Sequence, residues 1–131
     1  MINFLLLALL GSGEKLATMD SLLASHKPVT VVCTTYGPGY HGKRTASGDR
    51  YSIHYPSIAV PVKKVGCRRF PVIPFGTMLK LHYKTRTVVV KVNDLCPGGT
   101  YDLSDEAMAR LYGRYKLTKF RATMTVLKLK S

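Results

Sequence analysis

A period-two alternation recurs from Val29 almost to the C-terminus, and it is the feature that most constrains the fold. Val29–Tyr36 (VTVVCTTY) is rich in β-branched residues, and Thr77–Tyr83 (TMLKLHY) sets Leu79, Leu81 and Tyr83 against Lys80 and His82. Thr87–Val92 (TVVVKV) is almost continuously apolar, and Phe120–Leu129 alternates Ala122, Met124 and Val126 with Thr123 and Thr125. Successive side chains of a strand point to opposite faces, so the alternating runs predict half-buried strands and the continuous run a central one. One helix interrupts the pattern: Ser104 is a cap, Asp105 and Glu106 suit the positive end of the dipole, and Gly113 is a stop. Ala107, Met108 and Leu111 then face the core. With 131 residues, 46% of them hydrophobic, the chain has room for one domain with its own core, since domains run to about 100–200 residues. Strands, one short helix and Gly/Pro-rich turns predict a small closed β-barrel, in which closure removes the sheet edges that invite aggregation.

Residues 1–28 read differently. Phe4–Leu10 (FLLLALL) is followed by Gly11, Ser12 and Gly13; it is far short of the roughly 20 residues that span a bilayer. The run has the length of an export signal's apolar region, although no Lys or Arg precedes it. Leu16, Met19, Leu22 and Leu23 continue apolar positions at helical spacing, which reads equally as a docking helix. Pro28 breaks the pattern. The expected organisation is a leader or docking segment over 1–28 and a barrel domain over 29–131.

Twenty Lys and Arg against seven Asp and Glu leave a formal charge of +13, which predicts anionic partners: a wall polymer, a phospholipid surface or nucleic acid. No zinc-finger spacing, helix-turn-helix or RNA-binding aromatic motif supports specific nucleic-acid recognition. Cys33, Cys67 and Cys96 allow at most one disulfide, and that only in an oxidising compartment.

Because acids are scarce, each is informative. Asp94 follows an apolar strand directly and precedes Leu95–Cys96–Pro97, so partial desolvation is expected to raise its pKa and let it act as a general acid. The competing reading is an aspartate that accepts hydrogen bonds from the amides of the adjacent turn. Tyr36–Asp49 (YGPGYHGKRTASGD) combines four glycines, aromatic rings with polar tips and two cations, a loop over which a ligand can approach the backbone closely. The chain has no nucleotide-binding glycine motif, no paired-histidine zinc spacing and no GxSxG elbow. No metal or other cofactor is expected.

Thr34–Asp49 (TTYGPGYHGKRTASGD), Ile73–Leu81 (IPFGTMLKL), Val88–Gly99 (VVVKVNDLCPGG) and Tyr101–Leu111 (YDLSDEAMARL) together resemble the rare-lipoprotein-A-like double-psi β-barrel family, whose barrel expansins share. The resemblance covers about the last hundred residues in the family's order. It implies an all-β, six-stranded double-psi barrel with one or two short helices and a groove that binds polysaccharide. The key acid of the NDxxP motif falls on Asp94, and the acid after TASG, usually Glu, on Asp49; these two are the expected catalytic pair. Tyr36, His41, Thr45, Ser47, Asn93 and Asp102 are the expected substrate contacts. Two features depart from the pattern. Catalytic members carry a histidine eleven residues after the TASG-linked acid, where this chain has Val60, and Val62–Val72 (VKKVGCRRFPV) is a basic insertion.

The function so implied is that of a peptidoglycan lytic transglycosylase in the cell envelope, periplasmic or secreted. The alternatives are a non-catalytic, expansin-like wall-binding module and a phage virion component that penetrates the envelope.

Overall fold

The computed structural model describes residues 26–130, so nearly all of the expected leader or docking segment lies outside the described residues. Seven strands and one helix follow in order: β1 (Val29–Thr35), β2 (Ser57–Val65), β3 (Arg68–Pro71), β4 (Met78–Tyr83), β5 (Arg86–Cys96), β6 (Tyr101–Leu103), α1 (Asp105–Tyr112) and β7 (Phe120–Lys128). Hydrogen bonding runs β2-β5-β4-β7-β1-β6, and β6 pairs back onto β2, which closes a six-stranded barrel. Two pairings in the ring are parallel, β1 with β6 and β2 with β5; the rest are antiparallel.

The alternation works as the sequence predicts. Leu79, Leu81, Val88, Val90, Val92, Ala122, Met124 and Val126 turn inward and are buried, together with Ala107, Met108 and Leu111 of α1. Strand β5 extends past the expected Val92 to Cys96, and this extension carries Asp94. Strands β2 and β6 do not stand out in the sequence. The inner half of β2, Ser57–Val60, is buried at every position because Ile58 and Val60 face the barrel core while Ala59 packs with Tyr36 and Tyr51 in a separate cluster, so it shows no alternation, and Pro61 follows it. Strand β6 has three residues, too few to show a period.

The basic insertion is a β-hairpin outside the ring. The outer part of β2 pairs with β3, Lys63 opposite Phe70, Lys64 opposite Arg69 and Val65 opposite Arg68. Lys64 and Arg69 are like charges directly across the ladder, an unfavourable pair, and the Arg68 guanidinium lies 5.2 Å from the centre of the Phe70 ring. Cys67 is exposed at the hairpin tip, Cys33 is fully buried, and all three cysteines are free thiols. Burial pushes the Cys33 thiol up to about 12, so it packs as a small apolar side chain.

Helix α1 begins and ends where its sequence signals lie. Ser104 Oγ accepts from the Ala107 amide, and Gly113 caps the other end in the left-handed conformation at φ 100°. The same Oγ accepts from the Ser57 amide at 2.9 Å and donates to the Tyr55 carbonyl at 2.8 Å, which ties the helix start to the first residue of β2. Ser104→Ala would leave the buried Ser57 amide without its acceptor as well as remove the cap. The expected loss of stability is about 2 kcal/mol, measured as a shift in the urea midpoint with an unchanged slope.

Candidate active site

Strand β2 brings the two acidic motifs together. Ala59 is the register partner of Asp94 on β5 and of Asp102 on β6. Neighbouring strands lie about 4.8 Å apart, so the Cα atoms of the two acids are separated by roughly 10 Å with Ala59 between them. The direction of Asp94 depends on an irregularity. Ile58 pairs with Val92 and Ala59 with Asp94, leaving Asn93 unopposed. Strict alternation after Val88, Val90 and Val92 would aim Asp94 into the core; one extra residue turns it to the other face. There a second, smaller cluster of Tyr36, Tyr51 and Ala59 packs with Cys96, separate from the barrel core.

Three donors converge on the Asp94 carboxylate. The Tyr36 hydroxyl donates to Oδ2 at 2.6 Å, and the amides of Ala46 and Leu95 each donate to Oδ1 at 2.9 Å. The Ala46 amide belongs to a turn from Thr45 to Gly48, closed by a bond from the Gly48 amide to the Thr45 carbonyl; Gly48 takes φ 98°, a conformation open to glycine at little cost. Tyr36 is itself fixed. Its ring stacks on Tyr51 at 4.2 Å, and its backbone carbonyl accepts from the Tyr115 hydroxyl at 3.0 Å. Burial, then the hydrogen bond to Asp94, pushes the Tyr36 phenol far above its ordinary value, so it remains a donor. Tyr51 in turn donates to Asp105 Oδ1 at 2.8 Å and accepts from the Asp105 amide.

Asp102 has a different environment. Its Oδ1 accepts from the Thr34 hydroxyl at 2.9 Å, across the β1–β6 pairing. Burial pushes its pKa upward, the Thr34 bond pulls it back, and the negative charge of Asp94 pushes it further up.

The other expected residues divide between the site and its scaffold. The Thr45 hydroxyl bonds to Ser47 Oγ and to the Asp49 carbonyl, and Ser47 Oγ accepts from the Asp49 amide, so these side chains hold the loop in shape. Asn93, an expected substrate contact, is only 3% exposed, and its Oδ1 has no hydrogen-bond partner among the described residues; its carbonyl accepts from the Ser47 amide. The Asp49 carboxylate lies 3.0 Å from the Lys91 ammonium, an exposed pair of small energetic weight. His41 accepts from the Ile53 amide and sits edge-on to His54, and neither imidazole bonds to Asp94 or Asp102. Val60, where counting places the family histidine, is wholly buried in the barrel core. Among the described residues no group of three or more His, Cys, Asp or Glu side chains is placed to hold a metal ion. Sequence reasoning missed the amides of Ala46 and Leu95 and the partners Tyr51 and Thr34. Backbone donors leave no trace in residue identity, and the two side chains are fixed only by strand register.

A closed six-stranded barrel with two parallel pairings, crossed by the glycine-rich loop that reaches Asp94, is a double-psi β-barrel. The structure of Streptomyces papain inhibitor matches it with a TM-score of 0.55 and 22% identity, over 78% of this chain and 96% of the other. No protein-family model matches. A Synechocystis sp. protein named probable endolytic peptidoglycan transglycosylase RlpA is 36% identical over 87 residues. That alignment covers 63% of this chain and 24% of the relative, so the chain spans about a quarter of its length. The fold of the chain is a double-psi β-barrel, and over the 87 aligned residues its sequence is similar to RlpA.

The burial of Asp102 has a pH signature. The folded protein retains its proton at pH values where the unfolded chain has released it, so stability falls as pH rises from the ordinary value of 3.8 through the raised folded value. Asp102→Asn removes this contribution while keeping an acceptor for Thr34. Urea midpoints from about pH 4 to about pH 7 should fall for the wild type relative to the variant; parallel profiles would contradict the assignment.

Proposed function

We propose that the chain cleaves peptidoglycan glycan strands as a lytic transglycosylase in the cell envelope, with Asp94 as the general acid and base. The observation that carries this reading is the Asp94 carboxyl, turned to the outer face and held by three donors beside the half-buried Asp102. The likeness to RlpA supports peptidoglycan as the substrate class. A carboxylate oxygen has two lone pairs. The two amides occupy both on Oδ1, whereas Oδ2 keeps one free beside the Tyr36 bond. Oδ2 is therefore the atom through which a proton is exchanged.

In the first step, protonated Asp94 donates to the glycosidic oxygen, the bond to the muramic acid C1 breaks, and the leaving sugar departs with a hydroxyl. In the second, the muramic acid 6-hydroxyl attacks that C1 and returns its proton to the Asp94 carboxylate. An internal nucleophile makes a water-activating partner unnecessary, so one carboxyl serves both steps. Asp102, whose Oδ1 is held by Thr34, keeps Oδ2 to accept from a sugar hydroxyl. The exposed hairpin cations Lys64, Arg68 and Arg69 grip the anionic wall.

A second reading is favoured by one observation: Ala59, and no histidine, stands between the two acids. It is a non-catalytic, expansin-like module that binds peptidoglycan. Digestion of purified sacculi separates the two. The transglycosylase releases anhydro-muropeptides, and Asp94→Asn lowers the yield by about a hundredfold or more. A wild-type protein that pellets with sacculi and releases nothing is the binding module. In either case Lys64→Gln with Arg69→Gln should weaken pelleting at low salt and leave little difference at high salt, where exposed charges are screened.

A further inference from the structure

A concave feature lies away from the acids. A cleft of about 280 Å³ opens between the β4–β5 turn and the end of α1, lined by Tyr83, Lys84, Thr85, Arg86, Tyr112 and Arg114. Arg86 precedes Asp94 by eight residues on β5, about 26 Å of extended strand.

The cleft is rich in donors and poor in acceptors. No carboxylate lines it, and neither ion pair among the described side chains involves Lys84, Arg86 or Arg114. The Tyr83 and Tyr112 rings stack at 5.7 Å with an angle of 14°, and their hydroxyls have no hydrogen-bond partner among the described residues. Two details show that the cations are held in place. A Cβ at Gly113 would stand 3.2 Å from Arg86 Nε, so the guanidinium packs against the helix cap, where a cation complements the negative end of the dipole. Lys84, a non-glycine residue, takes φ 53° in the two-residue turn, and its ammonium sits 5.3 Å from the centre of the Tyr83 ring. A two-residue hairpin turn demands positive φ, so the turn itself fixes where the Lys84 side chain starts.

We propose that this cleft is a phosphate-binding site distinct from the Asp94 region. Two guanidinium forks, one ammonium and two phenols present more donors than the two oxygens of a carboxylate can accept. A phosphate group offers additional oxygens and, as a monoester, more charge. The ligand is either free phosphate or an anionic polymer whose successive phosphodiesters, each with two free oxygens and one charge, together meet these donors.

The test is a titration of the full chain with inorganic phosphate, with acetate as the carboxylate control, followed by NMR of the arginine Nε–H groups and tyrosine rings. Arg86, Arg114, Tyr83 and Tyr112 should shift together and saturably with phosphate, and bind acetate about tenfold or more weakly. Arg114→Gln, at an exposed position that leaves the core intact, should raise the Kd about tenfold. Lys84→Gln should also weaken binding. Lys128→Gln, exposed at the end of β7 opposite Met78 and remote from the β4–β5 turn, should leave it unchanged. Poly(glycerol phosphate) in a parallel arm identifies the source: tighter binding than inorganic phosphate marks a polymer, equal or weaker binding the free ion. Unsaturable shifts spread over all basic side chains, or an Arg114→Gln protein that binds as the wild type does, would overturn the proposal.

Discussion

The double pairing of β2 is the constraint on which the site depends. Its inner half is hydrogen-bonded to β5 on one side and to β6 on the other. Those bonds close the barrel and place Ala59 between two aspartates that belong to different strands. Remove either pairing and the acids lose their common neighbour. The same closure buries Ser57–Val60 at every position, so a segment without visible alternation becomes the joint of the molecule. Ser104 reinforces it, because one hydroxyl caps α1 and fixes the first amide of β2.

The irregularity at Asn93 adds a second condition. Closing the ring places Asp94 level with Ala59, but only the extra residue turns its carboxyl outward. A buried side-chain oxygen without a partner among the described residues, Asn93 Oδ1, accompanies that turn. Once outside, Asp94 anchors the glycine-rich loop by accepting from Ala46, and the stacked pair Tyr36 and Tyr51 fills the space beneath. Loop, stack and carboxylate support one another, and the site is held by a network rather than by any single bond.

Charge is distributed by a different rule. The formal charge of +13 has no bearing on the barrel interior, where the buried side chains are almost all apolar. Part of it gathers on the β2–β3 hairpin outside the ring and at the β4–β5 turn beside α1, and part is spread over exposed positions of the ring strands such as Lys80, Arg121 and Lys128. Hairpin and turn both contain cations with few acidic neighbours. A long-range positive field steers any anionic polymer toward the protein, whereas the geometry at each cluster determines which anion is held.

Much of the fold was legible in the sequence because strand alternation and helix capping are local. The strands at Val29, Met78, Arg86 and Phe120 and the helix between Ser104 and Gly113 each carry their own signal, and local chemistry alone placed them, although β5 runs on to Cys96 beyond its apolar run. Asp94 and Asp102 were legible as motif residues, since scarce acids at strand ends are conspicuous. What only the tertiary structure decided is how these pieces meet: that Ala59 separates the acids, that Asn93 is buried, that Tyr36 and two backbone amides hold Asp94, and that the basic insertion is a hairpin. Those facts rest on strand register between segments distant in the chain, and a one-residue shift in register reverses the face of every side chain that follows. No local pattern encodes such a shift; only the packing of the closed barrel selects it.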